Sequence, residues 1–348
     1  MLICLSLTLA AGGCAQFSYY AQAAHGQLSM MHAARPIDQV LASPDASDQL
    51  KARLTKVKEI RAYAVSELGL PDNASYTSYA DLKRPYVLWN VVATPELSLV
   101  PLHWCFPIAG CVEYRGYYDH DDAAAFATEL RTEGYDVQIG GVPAYSTLGW
   151  FHDPVLSTFI GYSEPEVARM IFHELAHQEV YAKGDSQFNE SFATAVEEEG
   201  LKRWMVQFGN EKMRQAYAVQ TQRQQDFLAL LLKYRKELEA NYARTVADSD
   251  KRQEKATIFR ALKDEYQTLK NSWSGYTGYD HWFAEPLSNA HLASIATYHD
   301  FVPAFKELLR QEQSFPKFYD AVRALSLLDK DERHRRLAAL TSSATSLP

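Results

Sequence analysis

In Ile171-Phe172-His173-Glu174-Leu175-Ala176-His177, two histidines stand four residues apart and a glutamate directly follows the first. On a helix, positions four apart share a face, so both imidazoles can point at one metal ion. Glu174 then stands where it can take a proton from water at that ion. Three protein ligands leave one zinc position open for water or substrate, so the pattern needs a genuine helix and a third ligand.

The flanking residues supply both. Ser163-Glu164-Pro165-Glu166 reads as a capping box with proline in the first turn. Val167, Met170, Ile171 and Leu175 form an apolar stripe, and Lys183-Gly184-Asp185 stops the helix. Asp185 or Ser186 caps a second helix through Phe188-Asn189-Glu190-Ser191-Phe192-Ala193. From His177 to Lys183 the first helix advances roughly 9 Å, and from Ser186 to Glu190 an antiparallel helix returns about 6 Å. Glu190 thus comes level with His177 and is the expected third ligand. Glu197, Glu198 and Glu199 lie further on and overshoot, leaving Glu197 to orient a ligand histidine from behind. One zinc ion held by His173, His177 and Glu190 is the expected cofactor.

The two stretches His173-Glu174-Leu175-Ala176-His177 and Asn189-Glu190-Ser191-Phe192-Ala193 resemble the gluzincin metallopeptidases, in which an Asn-Glu pair on the following helix gives the third ligand. The Asn-Glu-x-Phe-Ala form is similar to aminopeptidases of the puromycin-sensitive and leukotriene hydrolase type. The spacing departs from them: only residues 178–189 separate His177 from Glu190. Over most of its length the chain also resembles a bacterial family of predicted lipoprotein aminopeptidases. The matching stretches are Gly13-Cys14 with Tyr19-Tyr20, Trp104 to Tyr117, Ala144 to Thr158, His173 to Gly200, and Asn289-Ala290 to Phe305.

Length and composition frame this reading. A chain of 348 residues with 47% hydrophobic and 22% charged residues can bury a large core. Its net charge of −8 argues against a nucleic-acid surface. Leu2 to Ala11 is a short apolar run ending in Gly12-Gly13-Cys14, which suits a signal peptide and resembles a lipobox with Cys14 as the lipidated residue. Met1-Leu2 brings no basic residue, a departure that points to an upstream start or an atypical signal; a short buried helix is the alternative. Cys4 would leave with the signal, and the remaining pair, Cys105 and Cys111, reads as a disulfide across a turn at Pro107 and Gly110. The expected setting is a lipoprotein on a bacterial outer membrane, facing the periplasm.

Along the chain, segment 1–13 is the expected signal and 14–70 is helical, with a break at Arg35-Pro36 and a second helix from Asp48 to Leu68. Segment 71–210 is the metallopeptidase core. It begins with strands at Tyr86–Val92, Val112–Tyr118 and Tyr135–Ile139, and a helix at Asp122–Glu133 lies among them. Gly141 to Trp150 reads as extended, an edge strand beside the motif helix suited to pairing with a peptide backbone. Segment 211–273 is a helical hairpin with stripes at Phe227, Leu231, Tyr234, Leu238 and Tyr242 and at Ile258, Leu262, Tyr266 and Leu269. Segment 274–348 is helical from Asn289. All segments are expected to form one compact unit.

The expected fold is α+β, helix-dominated and zincin-like, with a small mainly antiparallel sheet and an inserted helical hairpin. The expected activity is peptide hydrolysis with Glu174 as general base, from the N-terminus of a peptide substrate. Tyr298 is the first choice for an oxyanion donor, followed by Tyr145, His281 and His291. Glu96, Glu113, Asp153 and Glu179 are the carboxylates available for a substrate amine. An endopeptidase with the same site and a non-catalytic zinc- or peptide-binding lipoprotein are the alternatives. Oligomeric state and side-chain preference are not readable from these residues.

Overall fold

A computed structural model describes residues 3–106, 110–299 and 301–345, with side chains for 17–106, 110–293, 295 and 301–340. The first helix, α1, spans Ile3–Ala33. β1 (Ala34–Pro36) follows at the expected break, then α2 (Ile37–Ala42), α3 (Asp48–Ser66) and β2 (Ser78–Ala80). Ser47 caps α3 through the N–H of Leu50, and Gly69, with φ +64°, turns the chain after it.

Three small sheets follow from the next strands: β3 (Leu88–Pro95), β4 (Trp104–Phe106), β5 (Gly110–Val112), β6 (Arg115–Tyr117), β7 (Tyr135–Val142) and β8 (Val155–Leu156). The helix α4 (His120–Thr132), capped by Asp119, crosses between β6 and β7. β3 is flanked by β6 and β7 in an antiparallel sheet, with Asn90 opposite Gly116 on one side and Gly140 on the other. β4 and β5 form a hairpin closed by a Cys105–Cys111 disulfide, as the cysteine count predicts. The turn expected at Pro107 lies outside the described residues. β2 joins β1 antiparallel and β8 parallel.

Two strand expectations need correction. Val112–Tyr118 is not one strand: pairing stops at Val112 and resumes at Arg115, leaving Glu113 and Tyr114 outside both ladders. The extended segment Gly141–Trp150 is a strand only to Val142, at the free edge of β7. Beyond Pro143 the chain loops, with positive φ at Leu148 and Gly149 and the Thr147 N–H and hydroxyl both donating to Asp153.

The rest is helical: α5 (Glu164–Glu179), α6 (Ser186–Phe208), α7 (Glu211–Tyr242), α8 (Asp248–Ser272), α9 (Asn289–His299), α10 (Val302–Glu312), α11 (Phe315–Ser326) and α12 (Lys330–Thr345). The main core packs α5 and α6 against α3, α10 and α11 through Leu54, Ile60, Phe172, Phe192, Phe305 and Phe318. α7 and α8 form the expected hairpin, with a second core of Phe227, Tyr234, Leu238, Leu262 and Tyr266. Lys255 of α8 is 2.6 Å from Asp136 of β7, and the Tyr242 hydroxyl donates to Asn289, so the hairpin is tied to both β7 and α9. The molecule is α+β and helix-dominated. Among the described residues no helix is long and apolar enough to cross a membrane.

Candidate metal centre

α5 starts where the sequence predicts, with the Glu166 carboxylate accepting from the Ser163 N–H and hydroxyl. Ile171, Phe172, Leu175 and Ala176 face the core, which fixes the helix rotation and leaves Arg169, Met170, His173, Glu174 and His177 along a cavity. Met170, expected in the buried stripe, is half-buried: it packs against the core and also lines that cavity. The return to α6 is short because Asn189 closes it. The buried Asn189 amide donates to the Ala182 carbonyl at 2.9 Å and accepts from the Ala182 N–H at 2.7 Å. Asp185 caps α6 by accepting from the N–H of Phe188.

This helix pair brings the three expected ligands together. Nε2 of His173 and Nε2 of His177 are 3.1 Å apart, and Oε2 of Glu190 lies 3.3 Å from the first and 3.6 Å from the second. Four ligand atoms 2.0–2.1 Å from a tetrahedral ion would stand about 3.3 Å from one another. The three donors therefore fit one small cation, and they form a group able to hold a metal. Glu197 does not reach the point between them. Two turns beyond Glu190, it approaches His173 from the other side of the ring, with Oε2 2.9 Å from Nδ1. Its second oxygen is 3.8 Å from Arg169, one turn before His173.

The charges of the cluster are strongly coupled. Burial by itself would lower the His173 pKa, but the Glu190 and Glu197 carboxylates outweigh it and hold the imidazole well above its usual range. Burial would raise Glu190, but the two imidazoles hold its carboxyl well below the usual range. Burial pushes the Glu174 carboxyl up, with His173 and His177 acting against it.

The cavity, about 540 Å³, extends from this cluster to the β3–β6–β7 sheet, the β4–β5 hairpin and α1. Tyr19 and Ala23 of α1 line it. Next to them, the Gln22 amide accepts from the N–H of Tyr118 and donates to the Gly116 carbonyl, covering the outer edge of β6. Gly26 allows this approach, since a Cβ there would overlap the Tyr118 ring.

Other expected site residues fall elsewhere. Tyr145 lines the cavity, but its hydroxyl is engaged with Tyr118 and Gln27. Tyr298 lies on α9, and its side chain is outside the described residues, as is that of Cys14 on α1. His281 is exposed, whereas His291 is buried beside Trp282 with Nδ1 bonded to Ser288 and its pKa lowered to about 4 by burial; neither lines the cavity. Of the four carboxylates considered for a substrate amine, Glu96 pairs with Arg252 and Glu179 with Arg323. Asp153 is held by Thr147 and Gln178, and Glu113 lies near His103. None of the four lines the cavity. Tyr114 does, and sequence reasoning missed it. Burial and the neighbouring Glu190 raise its phenol pKa far above the usual range, so it remains a donor.

Fold and site together define a helix-dominated α+β protein whose helix pair brings two histidines and a carboxylate into a group able to hold one cation. The chain matches the family described as "Putative aminopeptidase" over residues 18–337 and belongs to that family. No curated protein and no solved structure matches it.

Proposed function

We propose that this protein is a zinc metallopeptidase that hydrolyses peptides, acting as an aminopeptidase. The observation that carries this reading is the 3.1–3.6 Å triangle of His173, His177 and Glu190 beside a buried Glu174. Nitrogen and carboxylate donors with a position left open suit catalytic zinc. Bound zinc supplies Lewis acidity, which polarises a carbonyl and makes water acidic near neutral pH. Glu174 accepts the water proton and delivers it to the leaving amine, a task suited to a carboxyl whose pKa is raised by burial. Tyr114 donates to the oxygen that gains charge as the carbonyl is attacked. Glu197, with Oε2 2.9 Å from Nδ1 of His173, would orient that ring once the other nitrogen is held by metal, and Arg169 stands 3.8 Å from Glu197.

One observation favours a second reading, an endopeptidase. Among the described residues, the carboxylates lining the cavity are Glu174, Glu190 and Glu197, and none is spare for a substrate amine. Parallel assays on aminoacyl-nitroanilides and N-blocked peptides separate the two readings. Cleavage of blocked peptides alone would remove the aminopeptidase reading.

Glu174→Gln tests the enzyme reading itself. It is expected to keep a full equivalent of zinc by elemental analysis while losing at least about 10²-fold in kcat. Zinc binding by the wild type without any turnover would favour a binding protein. The Gly13-Cys14 pair supports our further reading of an outer-membrane lipoprotein facing the periplasm; labelling with a radioactive fatty acid tests it, and an unlabelled wild type would sink it.

A further inference from the structure

Away from the metal cluster the cavity changes character. Its walls there are Tyr19 of α1, Leu88 of β3, Phe106 and Val112 of the disulfide-closed hairpin, and Val142 of β7, with Asn90 of β3 as a neutral polar neighbour. Tyr19 and Phe106 have ring centroids 5.6 Å apart, and the Arg115 guanidinium stacks on Tyr19 at 4.1 Å. The disulfide joins Cys105 and Cys111, the residues directly before Phe106 and directly before Val112, so one covalent link holds both apolar side chains in register.

Among the described lining residues, the charged ones are Arg169, Glu174, Glu190 and Glu197. Glu190 belongs to the metal group, Glu197 stands at Nδ1 of His173 and is ion-paired with Arg169, and Glu174 is the proposed base beside them. The Asn189 amide both donates to and accepts from Ala182. A basic side chain buried against this wall would find no carboxylate among the described lining residues outside the metal cluster and its surroundings, and an acidic one only Arg115, which is already stacked on Tyr19, whereas an aliphatic or aromatic one would replace water on apolar surface.

We infer that the wall of Tyr19, Leu88, Phe106, Val112 and Val142 is a specificity pocket that selects peptides with a bulky uncharged apolar residue, of the Leu or Phe kind, beside the scissile bond. The inference rests on the peptidase reading only for its catalytic readout, and binding tests it separately.

The experiment compares Leu, Phe, Lys and Glu at one position in otherwise identical peptides, with free and with acetylated N-termini. Zinc-loaded wild type gives kcat/KM, and zinc-loaded Glu174→Gln gives Kd by calorimetry. The expected result is a preference of at least about tenfold for Leu and Phe over Lys and Glu in both readouts, the order that apolar pockets reach. Phe106→Ala, checked for folding by circular dichroism and for zinc content, should reduce that preference several-fold. Phe106→Glu should bring Lys peptides up relative to Leu. Turnover with no such preference, or with preference for Lys or Glu, overturns the pocket and leaves the peptidase reading standing. Apolar preference in Kd without turnover leaves the pocket standing and overturns the peptidase reading. Equal Kd values for all four peptides overturn the pocket whatever the activity.

Discussion

Asn189 and Tyr114 show two ways in which a single residue shapes the centre. Asn189 is 1% exposed, and its amide satisfies both the N–H and the C=O of Ala182 in the turn between α5 and α6. Asn189→Ala would leave the Ala182 N–H unpaired, while the Ala182 C=O keeps the N–H of Asp185. It is expected to lower stability by about 1–3 kcal/mol in urea unfolding and to weaken zinc binding in a chelator competition, because Glu190 is the next residue. Tyr114 lines the cavity, and the part proposed for it is that of its hydroxyl. Tyr114→Phe keeps the ring and is expected to lower kcat by about 10²–10³ with little change in KM, the magnitude of one lost oxyanion donor; steady-state kinetics decides. The histidines, Glu174 and Glu190 were legible in the sequence because helix period and rise are local rules. Tyr114 was not, because its place depends on a ladder break after Val112 that no glycine or proline announces. The same limit explains His291, which reads as a possible donor in sequence and is spent on Ser288 in the fold.

At the scale of elements, α5 and α6 hold the centre, and α12 holds α6. Asp185, the N-cap of α6, is 1% exposed and accepts from Arg333, itself 5% exposed, with His334 3.0 Å away. Asp185→Ala would remove the cap and strand the buried guanidinium, for an expected loss of about 3 kcal/mol. The pH dependence has a definite sign. Burial alone would raise the Asp185 carboxyl, but His334 and Arg333 outweigh it and hold the carboxyl below its ordinary value. Its stabilisation is therefore present above the unfolded carboxyl value near 3.9 and is lost as pH falls through the lower folded value. Urea midpoints for wild type and Asp185→Ala should differ clearly at pH 7 and converge as pH is taken well below about 4. Helices were well legible, since caps and stripes placed α3, α5, α6 and the α7–α8 hairpin within a few residues. Short strands were less so. β1, β2 and β8 have two or three residues each, too few for alternation to register, and exist because distant segments meet.

At the scale of the whole molecule, the proposed metal would be linked to the fold, because its ligands on two helices are close only in the native chain. Removing metal with a chelator is expected to abolish activity and lower Tm, and added zinc should restore both. A saturating excess of about 1,000 times Kd would correspond to about 4 kcal/mol of stability. An unchanged Tm after complete metal removal, followed by differential scanning calorimetry, would contradict that linkage. The role of α1 was the least legible part, because its packing default gave no sign that Tyr19 and Ala23 line the cavity. The contacts that seat it are far apart in sequence: Gln22 reaches Gly116 across 94 residues, and Gln27 reaches Tyr145 across 118. During synthesis the helix thus emerges long before the surfaces that receive it, and His173, His177 and Glu190 emerge later still. A partly made chain can have neither a closed cavity nor a complete ligand set. Helix α1 becomes a wall of the chamber only when more than half of the residues that follow it here are in place.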